Sequence, residues 1–163
     1  MSQRIQSVFF FLSALAFGLL LFLPLAIYHG EYNILQFNVF GVSSLTPDAE
    51  VPFGKIFALP VLILTITVML LSIYVSVSIF KAVRVKQFEK LLRISRINIV
   101  MNVVWIALVY AFYVIKIGQP INAKPVFQVG IFLPLAALVF MLIASSGLLK
   151  DIKNPVKSKF GVW

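Results

Sequence analysis

The sequence has no cysteine and a single histidine, His29. Without thiols it forms no disulfide, thiolate metal site, cysteine nucleophile or lipid-modified cysteine anchor, and one imidazole cannot build a multi-histidine metal or haem site. Acids are scarce too: five Asp and Glu stand against 14 Lys and Arg, for a net charge of +9. They form no recognisable pair of carboxylates or Ser/His/acid arrangement, so no catalytic residue, cofactor site or metal site is expected and an enzyme is disfavoured. The acids nearest His29 are Glu31, Asp48 and Glu50, which read as solvated loop charge. At 61% hydrophobic and 12% charged, the 163 residues hold too little polar surface to cover a soluble globule. Lipid is the expected main solvent.

What the sequence does contain is four apolar runs, over about 7–28, 56–80, 97–115 and 129–149, each near or above the roughly 20 residues that cross a hydrocarbon core. The first outruns the apolar core of a secretory signal and ends in Leu25-Ala26-Ile27-Tyr28 instead of a small-residue cleavage site, so it reads as a retained anchor. No linker separates two domains. The expected fold is a single all-α integral membrane domain, a four-transmembrane-helix bundle, over 1–163. A small extracytoplasmic loop, 29–55, joins the first two spans. Within it Leu35, Phe37, Val39 and Gly41 alternate with Gln36, Asn38 and Phe40, and Thr46-Pro47-Asp48 resembles a turn, so either a short β-hairpin or a covering loop is expected there.

The basic residues set the orientation. Arg4, the segment 81–96 with Lys81, Arg84, Lys86, Lys90, Arg93 and Arg96, and the tail 150–163 with Lys150, Lys153, Lys157 and Lys159 fall on one side of the four spans. Only Lys55, Lys116 and Lys124 fall on the other. The charge bias of membrane insertion makes the richer side cytoplasmic, and an even number of spans puts both termini there. Because topology already accounts for these charges, nucleic-acid binding needs no separate invocation. The same residues offer a surface for anionic lipid headgroups or a cytoplasmic partner. In the basic segment Phe88, Leu91 and Leu92 share one helical face, expected to lie against the membrane. Phe160 and Trp163 suit docking of the tail at the interface.

Polar residues inside the spans are few and concentrated. Ser72 and Ser76 are four apart in the second span, as are Asn98 and Asn102 in the third, so each pair occupies one helical face. Counting from the cytoplasmic ends puts Ser76 level with Asn102, which predicts a hydrogen bond between neighbouring helices. Ala14 with Gly18, and Ala107 with Ala111, give small-residue faces for close approach inside the bundle or to another membrane protein or second copy. No central stretch of a span carries an ionisable group, which disfavours proton-coupled transport. Pro24, Pro47, Pro52, Pro60, Pro120, Pro125 and Pro134 all fall toward the extracytoplasmic side, and Phe22-Leu23-Pro24-Leu25-Ala26 recurs as Phe132-Leu133-Pro134-Leu135-Ala136. The prolines read as helix-end chemistry, with an outer vestibule as the competing reading.

The start Met1-Ser2-Gln3-Arg4-Ile5-Gln6-Ser7, the Leu23-Pro24-Leu25-Ala26 string, and Phe80-Lys81 followed by Arg84, Gln87 and Arg96-Ile97-Asn98-Ile99 resemble a bacterial family of small four-span inner-membrane proteins classed as a domain of unknown function. After Lys150-Asp151 the tail departs from the family's arginine-rich ending. The resemblance implies architecture and a bacterial inner membrane, and it implies no activity. The functional expectation is a non-enzymatic structural, assembly or accessory protein that binds lipid or another membrane protein. The alternative is a small channel, transporter or lipid-handling protein using the proline-rich outer end.

Overall fold

A computed structural model describes residues 3–82 and 85–154. Helix α1 spans Gln3–Leu20, α2 Leu59–Lys81, α3 Val85–Leu108 and α5 Leu133–Lys153, with a short α4 at Val114–Gly118. Three helical stretches are long and apolar enough to cross a membrane: Leu59–Lys81, Lys86–Ile121 and Val129–Lys153. A shorter apolar helix, Arg4–Leu20, accompanies them. The helices close a ring in which α1 and α3 each pack against both α2 and α5. Contacts between Ser7 and Ser76 and between Ser13 and Ser72 run α1 antiparallel to α2. Those of Asn102 with Pro134 and of Tyr110 with Ile131 do the same for α3 and α5.

The first apolar run does not stay helical to Tyr28. Its helix stops at Leu20, and Ala26–His29 is a strand, β1, reached through a connection that contains Pro24. A proline lacks the donor a helix needs, and the apolar residues beyond it serve a buried strand as well as they would a span. Strand β1 pairs with β2 (Ile34–Asn38), β2 with β3 (Gly41–Ser44), and β1 on its other edge with β4 (Pro125–Phe127), all antiparallel. The interval 29–55 therefore holds a true hairpin, β2–β3, in a four-stranded sheet that also recruits the end of the first run and the last connection. Pro125 begins β4, an edge strand, where its missing N–H breaks no interior ladder bond. Leu35, Phe37 and Val39 are fully buried, as the alternation predicts, and Thr46–Ala49 forms the expected turn with Asp48 in the left-handed region at φ 59°.

The sheet closes one end of the helix ring. Phe37 stacks on Tyr113 with centroids 5.6 Å apart, and Tyr113 meets Phe57 edge-on at 5.0 Å. Three tyrosine hydroxyls fasten the connections to the helices: Tyr28 donates to the Val114 carbonyl at 2.9 Å, Tyr113 to Phe57 at 2.7 Å and Tyr110 to Ile131 at 3.1 Å. A π-helical turn at Val109–Tyr113 sits between α3 and α4, where one inserted residue shifts the helical face and aims these rings. Burial raises the Tyr28 hydroxyl's pKa well above its usual value. Gly130 lies so close to the α1–β1 connection that a Cβ there would meet the Pro24 carbonyl at 2.5 Å. Both Phe-Leu-Pro-Leu-Ala segments thus lie toward the sheet end, Pro24 in a connection and the buried Pro134 in the first turn of α5.

At the opposite end the expected loop over 81–96 is mostly helix. Helix α2 runs to Lys81 and α3 begins at Val85, so Lys86, Lys90, Arg93 and Arg96 lie on its first turns. Phe88, Leu91 and Leu92 do share a face, but it is only 5%, 4% and 8% exposed and faces the protein interior, not lipid. Core and lipid are equally apolar, so periodicity locates the face without telling which of the two covers it.

Candidate functional site

The middle of the ring is filled by large side chains. Phe10, Phe17, Trp105 and Met141 are fully buried, with Phe17 meeting the Trp105 indole edge-on at 6.1 Å. The indole N–H donates to Thr65 Oγ1 at 2.8 Å, and that hydroxyl donates to the Val61 carbonyl at 2.7 Å, so the core's polar atoms here are satisfied.

Between this plug and the far end runs a buried polar seam. Gln6 Nε2 donates to Asp151 Oδ2 at 2.6 Å, joining α1 to α5. Ser7 and Ser76 bond α1 to α2, and Ser13 lies 3.5 Å from Ser72 across the same helix pair. Asn98 Nδ2 donates to Ser72 Oγ at 2.8 Å, joining α3 to α2. Asn102 Nδ2 donates to the Pro134 carbonyl at 3.2 Å and contacts Met141 Sδ at 3.8 Å, joining α3 to α5. All four predicted polar residues, Ser72, Ser76, Asn98 and Asn102, are buried and make inter-helix bonds, but the predicted pairing of Ser76 with Asn102 is not formed. Ser76 faces α1 and Asn102 faces α5. Helix α3 starts well before the charge boundary from which depth is counted, so Asn98 lies level with Ser72 and Trp105 with Thr65, about two turns from the expected register.

Gln6, Ser7, Ser13 and Asp151 also bond in this seam, and Ser95 lies buried on the same helix as Asn98 and Asn102. Sequence reasoning gives Gln6, Ser7 and Asp151 only within the strings compared with the family, and gives no signal for Ser13, Ser95 or Thr65, whose type is common and whose neighbours are known only once the helices are packed. Four oxygens in it, Gln6 Oε1, Ser95 Oγ, Asn98 Oδ1 and Asn102 Oδ1, are buried and accept from no donor among the described residues. Ser95, Asn98 and Asn102 form one stripe of α3, so the seam is a line of acceptors more than a single convergent site.

The predicted cationic surface is exposed: Arg4, Lys81, Lys86, Lys90, Arg93 and Arg96 all lie open at the far end. Arg84, and the tail residues Pro155, Lys157, Lys159, Phe160 and Trp163, lie outside the described residues. Where α2 turns into α3, Lys81 and Lys90 line a groove of about 260 Å³. At the sheet end a polar recess of about 400 Å³ lies between His29–Asn33 and Pro120–Asn122. Among the described residues no three of His, Asp and Glu come together as metal ligands. Of the small-residue faces, Ala14 is buried and Gly18 faces Met69 on α2, whereas Ala107 and Ala111 are on the exposed side of the third helix.

Helix length and composition make this a predominantly helical membrane protein, with three helices able to cross a bilayer, a shorter fourth and a small sheet over one end. The chain belongs to the family described as domain of unknown function (DUF4293), whose model matches residues 2–158. No curated protein and no solved structure matches it.

Proposed function

We propose that the chain is a four-span protein of the bacterial inner membrane with both termini cytoplasmic, a non-enzymatic structural, assembly or accessory component that binds lipid or another membrane protein. Helix α1 serves as the fourth span: its 18 residues give about 27 Å at 1.5 Å per residue, close to the hydrocarbon thickness. Its exposed residues, Val8, Phe11, Leu12, Leu15 and Leu19, are as apolar as the outward residues of α2 and α5. A ring with one polar flank would serve a soluble neighbour; this one is apolar on every side.

The observation that carries the accessory reading is the filled centre. Phe10, Phe17, Trp105 and Met141 occupy the space that a transport path would need, and the polar seam below them is spent largely on holding the helices together. Chemistry is therefore offered at the surface, through the apolar belt and the basic end. The polar recess at the sheet end favours the second reading, a channel, transporter or lipid-handling protein working from that end.

Purification of a tagged protein in mild detergent, with identification of everything that copurifies, separates these readings. A reproducible stoichiometric membrane-protein partner is the expected result, whereas purification alone with a retained lipid would shift weight to the lipid-handling form of the second reading. Solute or ion flux through reconstituted vesicles above that of protein-free vesicles would replace the accessory reading with the second one.

A further inference from the structure

The groove at the α2–α3 corner is lined by Tyr74, Ser78, Lys81, Gln87, Lys90 and Leu91, among others. Tyr74, Ser78 and Lys81 are spaced i, i+4 and i+7, so they form one stripe down the last turns of α2, and the other three come from the first turns of α3. Leu91 is buried and forms apolar floor, while both lysines are exposed. Two ammonium groups share this groove, and among the described residues no carboxylate lines it. Like charges lining one groove repel, and an anion between them removes that penalty. Around them the Tyr74 and Ser78 hydroxyls supply neutral donors, so the groove offers a phosphate both charge and hydrogen bonds.

The surroundings select among phosphates. Phe80 and Val77, 64% and 47% exposed, flank the stripe on α2, and toward the centre it continues into Leu70, 55% exposed. A polar anion at one end of a groove and an apolar flank leading away from it match an amphiphile better than a free ion. We propose that this groove binds the phosphate of an anionic glycerophospholipid, with the acyl chains lying along the outward face of α2. The assignment rests on the membrane-spanning reading above and deepens its lipid half by naming the site. It also differs from diffuse attraction of a basic end to an anionic leaflet, which would weigh Arg4, Lys86 and Arg93 equally.

The test is native mass spectrometry of the full chain in mild detergent, titrated separately with phosphatidylglycerol and phosphatidylcholine. Phosphatidylglycerol is expected to bind preferentially, and K81Q/K90Q to lower its affinity by about tenfold or more, as loss of two close cationic contacts implies. K81R/K90R, which keeps the charge, and K55Q/K124Q, at the sheet end, are expected to bind as the unaltered protein does. The replaced lysines are exposed, and an unchanged thermal midpoint of lipid-free K81Q/K90Q confirms that the fold survives. Inorganic phosphate at the lipid's concentration is expected to leave the bound lipid in place; displacement by it would show an anion site with no lipid selectivity and overturn the proposal. Undiminished phosphatidylglycerol binding by K81Q/K90Q would overturn the groove alone, whereas equal binding of the two lipids by the unaltered protein would remove anionic-lipid recognition from the functional reading as well.

Discussion

Ser7 and Ser76 exchange hydrogen bonds across α1 and α2: Ser7 Oγ donates to the Ser76 carbonyl at 2.8 Å, and Ser76 Oγ donates to the Ser7 carbonyl at 2.9 Å. The acceptors are main-chain atoms, which survive mutation of either side chain. Ser7→Ala and Ser76→Ala are therefore each expected to cost about 0.6 kcal/mol, the average for such bonds between membrane helices, and to add nearly independently in the double variant. Reversible unfolding in mixed micelles measures this. A coupling energy above about 1 kcal/mol would instead assign the dominant bond to the two hydroxyls, which lie 3.0 Å apart.

Gly147 and Gln6 give a prediction with a change of sign. A Cβ on Gly147 would lie 2.9 Å from Gln6 Nε2 and 3.0 Å from its Cγ. Gln6 is fully buried and holds Asp151, so it has no free direction to retreat. Gly147→Ala is expected to destabilise by about 1–3 kcal/mol through overpacking and loss of the bond to the carboxylate. In a Gln6→Ala background the space is open, and the same substitution should become neutral or stabilising by up to about 1 kcal/mol, the helix propensity gained over glycine. Additive costs in the two backgrounds would show that the contact does not limit packing.

Much of this architecture is legible in the sequence, and the failures share a cause. The apolar runs announce helices for the second, third and fourth spans because only a helix satisfies so long an apolar backbone in lipid. Leu21 to Tyr28 misleads because a buried strand and a span use the same residues, and only Pro24 marks the boundary. Strand β4 is hidden for the opposite reason: Pro125 argues against a central strand, and an edge position is visible only when β1 is known to be in place. For Phe88, Leu91 and Leu92 periodicity gives the shared face, but the face turns to the protein interior instead of to lipid. Among the seam residues the sequence supplies the polar type and helical phase of Asn98 and Asn102, but which helix each one meets depends on the ring order, to which no residue pattern points.

Tyr28 predicts an alkaline limit to stability. Its hydroxyl is buried and donates to Val114, and burial raises its folded pKa above the unfolded value of 10.0. The neutral form is thus favoured in the folded protein. The stability this contributes is fully present below pH 10.0, and as pH rises beyond it the unfolded chain loses a proton that the folded chain retains, so stability falls. Tyr28→Phe should lower stability by about 1 kcal/mol near neutral pH through the lost hydrogen bond, yet flatten the decline above pH 10. Thermal midpoints measured from pH 7 to 11 for both proteins give the comparison; parallel curves would assign the alkaline loss to other groups.

The proposed orientation can be tested at two residues on opposite ends of the ring. Lys90 lies exposed on the second turn of α3 among the basic residues, and Asp48 lies exposed in the turn after β3 on the sheet side. In the proposed four-span arrangement Lys90 faces the cytoplasm and Asp48 the opposite compartment, the sense that the charge bias favours. The native chain has no cysteine, so Lys90→Cys and Asp48→Cys each present one thiol to a membrane-impermeant maleimide. In intact cells, with an outer membrane opened where there is one, Asp48→Cys is expected to label and Lys90→Cys to stay unlabelled until the inner membrane is broken. Labelling of both from outside would place the basic end and the sheet on the same side. In that case α2 would not cross the bilayer, although its 23 residues make it one of the three helices long enough to do so, and the four-span arrangement would have to be abandoned.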